Sequence, residues 1–129
     1  MPVGVVCMAE SVGQETLRLG LALLGSVVRV IVDRPMGSRH PSARFRYSVN
    51  YGYVPETVAP DGEELDAYLL GPAGPVETGV GRCVAVVHRE YQDDDKLVVV
   101  TGNQEYTDAE ILRMVAFQEG HGRHRIVRG

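Results

Sequence analysis

Five carboxylates, Glu56, Asp61, Glu63, Glu64 and Asp66, fall within eleven residues, and no lysine or arginine lies between Arg46 and Arg82. So dense a set repels itself unless it is solvated, protonated or holding a cation. Asp61-Gly62 is a turn dipeptide, because glycine relieves the backbone strain of a reversal. A reversal there lets carboxylates on both sides converge, and hard divalent cations such as magnesium take oxygen ligands of this kind. Glu64 faces away from Glu63 along an extended chain and is read as surface. Just upstream lies a basic stretch, Arg29, Arg34, Arg39, Arg44 and Arg46, opposed only by Asp33. A basic block beside an acidic one suits a phosphorylated ligand carrying its own metal ions. Two solvated patches are the plainer alternative.

These residues have to be held by something, and the pattern around them is mostly strand. Val27 to Val32 is β-branched apart from Arg29. Phe45, Tyr47, Val49, Tyr51 and Tyr53 alternate with Arg46, Ser48, Asn50 and Gly52, the period of two of a half-buried strand that Pro55 ends. Asp66 to Leu70, Gly81 to His88 and Lys96 to Thr101 read as further strands, the last two joined by Asp93-Asp94-Asp95. Ser11 to Gln14 fits a capping box for a helix from about Gly13 to Leu24, closed by Gly25, with Gly20 out of character inside it. Thr107-Asp108-Ala109-Glu110 is a second capping box, and Gly120 suits the end of that helix. Ile126-Val127 in the basic tail forms a last short strand. Many short strands with Gly/Pro turns and one late helix predict a small β-barrel.

At 129 residues the chain is expected to be a single domain, 1–129, with residues 1–25 as an N-terminal extension. The net charge of −4 argues against nucleic acid as a general partner, and the absence of tryptophan leaves few stacking platforms. The two cysteines, Cys7 and Cys83, have no metal spacing and are read as small buried apolar residues. The apolar run Leu21 to Leu24 is too short to span a bilayer, and the first basic residue is Arg18. A cytoplasmic protein without a membrane segment is the expectation.

The run Arg39…Tyr47-x-x-Asn50-Tyr51-Gly52-Tyr53, then Asp61-Gly62-Glu63-Glu64-Leu65-Asp66, then Asp94-Asp95-Lys96-Leu97, resembles the soluble magnesium-dependent inorganic pyrophosphatases. The likeness covers roughly Val27 to Val100 and is strongest to short bacterial members, through Asp33 to Pro41. It implies a mainly β, α+β fold: an OB-like five-stranded β-barrel with an N-terminal and a C-terminal helix. It implies hydrolysis of pyrophosphate by in-line attack of metal-bound hydroxide, with Mg2+ as cofactor and Mn2+ as a substitute. On this resemblance Asp61, Glu63, Asp66 and Asp94 are metal ligands. Arg29, Arg39 and Lys96 hold phosphate. Tyr47 and Tyr51 wall the site, and Glu63 also orients the nucleophile. The family tends to be oligomeric, so a homo-oligomer is expected.

The chain departs from the family pattern at four places. Glu63 stands where aspartate is usual, and misplacement of about 1 Å at a reacting centre costs about a hundredfold. The loop before Asp94 is short, so Glu90 or Asp93 has to stand in for a further aspartate. Ile31 replaces a site-wall glutamate. The tyrosine-lysine pair after the last helix is absent; the position reads Gly120-His121-Gly122-Arg123, which makes Arg123 a candidate phosphate contact. Arg34, Arg44, Arg46, Asp93 and Asp95 read as solvated charges, and His40 and His88 as structural. Two alternatives remain: a phosphohydrolase for another diphosphate, and a non-catalytic OB-type module binding phosphate or nucleic acid.

Overall fold

Val27–Arg34, rich in valine, forms the first strand because branched side chains pack well on a pleated surface. In the computed structural model, whose described residues are 15–90, 92–120 and 124–128, it is β1. The order is α1 (Glu15–Leu23), β1, β2 (Asn50–Val54), β3 (Leu65–Leu70), β4 (Thr78–Arg89), β5 (Lys96–Val100), α2 (Asp108–Glu119) and β6 (His124–Val127). The strands run in the order β1-β2-β3-β5-β4, and a β1–β4 pairing closes them into an OB-like five-stranded barrel. Only β3 and β5 are parallel; the other pairs are antiparallel. The twelve-residue β4 makes closure possible: Thr78 to Arg82 pair with β1, and Arg82 to Val87 pair with β5. Strand β6 continues along β4 through Val86 to Arg89.

Both faces of the central strands are covered, which is why β5, KLVVV, is buried throughout instead of alternating. Leu65, Ala67 and Leu69 of β3 point into the barrel with Val30, Val54 and Val99. Tyr68 and Leu70 point outward beneath Ile111 and Val115 of α2. Helix α1 packs Leu17 and Leu21 against the inner cluster. Gly20 is what lets it sit there: a Cβ would lie 2.9 Å from Val86 Cγ2 and 3.1 Å from Leu97 Cδ2. Gly25, at φ 85°, ends the helix as expected. Cys83 lies inside the barrel, where burial pushes its thiol up to about 11. Among the described residues no helix is long and apolar enough to cross a membrane.

Two expectations change, and others lie beyond what is described. The long strand over 45–53 is a strand only from Asn50. Before it, Gly37 N–H donates to the Tyr47 carbonyl and Tyr47 N–H to the Ser38 carbonyl, so the backbone is satisfied in a local loop instead of a barrel ladder. Strand β4 begins earlier than expected, at Thr78, because β1 supplies a partner there. The cap at Ser11 lies outside the described residues, as do Cys7 and Arg123.

Candidate active site

The sequence NYGY divides its labour between scaffold and site. Asn50 is fully buried, and its amide ties two loops together. Its Oδ1 accepts from Met36 N–H at 2.9 Å and Val76 N–H at 3.2 Å, while Nδ2 donates to the Gly74 carbonyl at 3.0 Å. Gly52 is required because β1 lies so close beside β2 here that a Cβ would collide with the Ile31 carbonyl oxygen. Tyr51 is the member that reaches the site.

Tyr51 lines an open hollow of about 510 Å³ together with Asp33, Arg34, Tyr47, Asp66, Arg89, Asp94 and Lys96. The loop before β2 supplies its rim, where His40, Phe45 and Tyr47 pack ring on ring, 4.9 to 6.1 Å between centroids. Lys96 lies at its centre. Its side chain is 5% exposed, and Nζ donates to Asp66 Oδ2 at 3.0 Å and to Asp94 Oδ2 at 3.1 Å. It also stands 5.6 Å from the centroid of the Tyr51 ring. A buried ammonium needs such partners, because an unpaired charge cannot be afforded away from water.

A second, smaller hollow of about 150 Å³ adjoins the first and shares Asp66 and Asp94 with it. Its wall includes Asp61, Glu63, Glu64 and Asp93. The expected turn is present: Gly62 has φ 86°, and the Asp61 carboxylate accepts from Glu63 N–H at 2.9 Å. Asp61 and Glu63 are exposed, whereas Asp66 and Asp94 are half-buried beside Lys96. Among the described residues no three His, Cys, Asp or Glu side chains converge closely enough to hold an ion as placed. The donor set still fits a hard cation: it is all oxygen, and Asp66 and Asp94 already share one positive charge, that of Lys96.

The electrostatics of the hollow favour neutral phenols. Burial, reinforced by Asp66, raises Tyr51 far above the ordinary phenol value, and burial raises Tyr47. Both remain hydrogen-bond donors near neutral pH. Asp33 is also raised, by desolvation first and then by Asp66 and Glu64.

The structure therefore brings together Tyr47, Tyr51, Asp66, Asp94 and Lys96, with Asp61 and Glu63 in the adjoining hollow. It does not bring Arg29 or Arg39 to either. Arg29 is exposed on β1 beside a separate hollow near Leu23 and Glu56. Arg39 is exposed and pairs through its backbone with Arg46. Besides Lys96, the cations that line the site are Arg34, read from sequence as solvated, and Arg89, which sequence reasoning missed. Asp93 and Asp95 are not solvated loop charges either. Asp93 accepts from both the N–H and the hydroxyl of Thr16 at 2.7 Å. Asp95 is 3% exposed, bonds His88 Nδ1 at 2.8 Å and receives Arg89 N–H at 2.9 Å. Burial raises its carboxyl above the usual range.

Comparison with known proteins places this arrangement. The family model described as inorganic pyrophosphatase matches residues 27–121. The inorganic pyrophosphatase of Xylella fastidiosa is 36% identical over 81 residues, covering 57% of this chain and 46% of that protein. That of Neisseria meningitidis is 32% identical over 97 residues, covering 59% and 54%. The chain thus spans about half the length of these relatives. Two solved structures share the fold. The inorganic pyrophosphatase of Ehrlichia chaffeensis superposes with a TM-score of 0.64 at 17% identity, over 81% of this chain and 87% of that one. The one from Coxiella burnetii gives 0.57 at 20% identity, over 81% and 84%. The match takes in β1 to β5, α2 and every described residue of the carboxylate hollow except Thr16, so this chain belongs to the inorganic pyrophosphatase family.

Proposed function

We propose that the chain hydrolyses inorganic pyrophosphate to two phosphates, with a divalent cation, magnesium by preference and manganese as a substitute. One observation carries the reading: Asp66 and Asp94 are the common wall of a carboxylate-lined hollow and a hollow lined by Arg34, Arg89, Lys96 and Tyr51. A metal-complexed polyanion presents both signs of charge, and such a divided wall matches both.

Asp61, Glu63, Asp66 and Asp94 would hold the metal, which when bound supplies charge neutralisation and a more acidic water. The remaining work belongs to side chains. Arg34 and Lys96 draw the phosphoryl oxygens into the larger hollow and offset the charge that builds on the departing phosphate. Tyr51 donates a hydrogen bond and does not act as a base, since its hydroxyl stays protonated. Glu63 orients the attacking water and accepts its proton. The new bond joins the water oxygen to one phosphorus while the bridging P–O bond breaks, the bridge oxygen leaving with the second phosphate. A cytoplasmic, self-associating protein that binds no nucleic acid completes the reading; the net charge of −4 bears on the last of these.

The test is phosphate release from pyrophosphate with and without magnesium. Wild type should need the metal, and Asp66→Asn should lose at least about a hundredfold in rate, as expected when a group at the reacting centre is lost. Full activity of that variant removes the proposed site. An organic diphosphate is a second reading, favoured by the ring wall of His40, Phe45 and Tyr47 beside the same hollow. Running organic diphosphates in the same assay separates the two.

A further inference from the structure

Arg89 has a setting that its position at the end of β4 does not explain. Its side chain is 12% exposed and lines the larger hollow, and its guanidinium spans two carboxylates of different kinds. Glu119, in the last turn of α2, has a side chain with no exposure at all. It accepts from Arg89 Nε at 2.8 Å and from Nη2 at 3.3 Å, a forked contact. It also accepts from the Tyr68 hydroxyl at 2.6 Å, and Gln118 Nε2 donates to that hydroxyl at 2.8 Å. Arg89 Nη1 faces the other way and donates to Asp94 Oδ2 at 3.2 Å. That same oxygen accepts from Lys96, and the Asp94 side chain is 39% exposed.

The two contacts differ in how easily they are given up. Glu119 has no water to turn to, so separating it from Arg89 would strand a buried carboxylate. Asp94 is partly solvated and shared between two cations, so it can be taken over by another positive charge. A divalent cation on Asp94 would displace the Nη1 edge while the Nε–Nη2 edge stays fixed. The displaced edge lies in the hollow where, on the reading above, the phosphate oxygens arrive. A planar guanidinium held by one edge matches a phosphate with the other, which a flexible ammonium does not do.

We propose that Arg89 is a phosphate-binding residue and that Glu119, braced by Tyr68, is its positioning residue: on loading, Arg89 exchanges Asp94 for a phosphate oxygen and keeps Glu119. The inference rests on the proposed function for the identity of the anion. It assigns the end of α2 a role in substrate affinity through a residue on a different element.

The test pairs calorimetric binding of inorganic phosphate, with magnesium present, with pyrophosphate kinetics, on the full chain. The variants are Arg89→Met, Arg89→Lys and Glu119→Gln, with folding followed by circular dichroism. Arg89→Met should weaken phosphate binding and raise KM by about 10- to 100-fold, the scale of a lost charge-assisted contact. Arg89→Lys should recover only part of this. Glu119→Gln should raise KM several-fold, whereas a purely packing role would lower Tm and leave KM alone. Phosphate affinity and KM within twofold of wild type in folded Arg89→Met overturn the proposal; if that variant does not fold, the same result in Arg89→Lys does so. Wild type that hydrolyses pyrophosphate alongside such variants keeps the proposed function and loses only this inference. Wild type that binds phosphate through Arg89 yet releases none from pyrophosphate does the reverse, and wild type that binds no phosphate overturns both.

Discussion

The barrel interior and the face beneath α2 are equally dry, yet they are made of different residues. Inside, Val30, Val32, Val54, Leu65, Leu69, Cys83 and Val99 meet the leucines of α1, and no hydroxyl or charge is among them. Outside, Tyr51 and Tyr68 carry hydroxyls towards Asp66 and Glu119, Tyr47 carries one towards Arg34, and the ring of Phe117 packs edge-on against Tyr47 and Tyr68. The inner cluster has one task, to exclude water, and aliphatic side chains of the right volume do that. The outer cluster must also aim polar atoms, so each tyrosine combines an apolar ring with a fixed donor. Stability and chemistry are separated by the wall of a single sheet, with alternate residues of β3 facing the two sides.

That separation makes the interior the place where a small change should cost most. Gly52→Ala adds one methyl group, but the atoms it meets are the backbone of Ile31 and Val32, which cannot rotate aside. We expect a loss of more than about 3 kcal/mol, beyond the usual range for overpacking, read as little soluble protein or a collapsed Tm. A folded Gly52→Ala with an unchanged Tm would mean that the two strands do not approach so tightly. A middle-sized effect should come from Thr16, which ties α1 to the loop that carries Asp94. Thr16 belongs to α1, is 3% exposed, and its hydroxyl donates to Asp93 and accepts from Asp95 N–H at 2.9 Å. Thr16→Val keeps the shape and leaves a buried N–H without its acceptor, at a cost of about 1–3 kcal/mol. Because Asp94 lies between those two anchors, hydrolysis should fall along with chemical stability measured by denaturant. Loss of stability with full activity would show that the loop carrying Asp94 is held without α1.

How far the sequence discloses this depends on how local each cause is. The turn at Asp61-Gly62 is legible because the dipeptide itself makes it, and the cap of α2 because Thr107 and Glu110 bond each other. Tyr47 and Tyr51 announce themselves through alternation even though only Tyr51 lies in a strand. The arginines are not legible in this way. Five stand close together, and the one that enters the hollow is chosen by an irregularity in β1 between Val32 and Arg34, which re-aims the chain. Arg89 and Glu119 are thirty residues apart and meet only when α2 lies across the closed barrel. One signal for Glu119 did exist. An acidic side chain in the last turn opposes the helix dipole, and the turn has no basic residue, so a carboxylate there asks for a buried partner.

The smallest effect is expected at the other end of the same helix, where stability and chemistry should come apart. The Glu110 carboxylate accepts Thr107 N–H at 2.7 Å, and that bond holds it below the usual carboxylate range. A group depressed in the folded state stabilises the fold above its unfolded pKa, and the contribution disappears as pH falls through the lower folded value. Glu110→Gln keeps an acceptor but removes the charge, so its Tm should lie slightly below wild type at pH 7 and converge with it as the carboxylate protonates, below about pH 4. The Arg89–Glu119 contact is about two and a half helical turns away, which leaves KM for pyrophosphate unchanged at pH 7. A Tm gap that persists at pH 3 would assign the cap to geometry instead of charge. A raised KM would mean that α2 transmits disturbance along its whole length, and that the outer face behaves as one rigid body with the site.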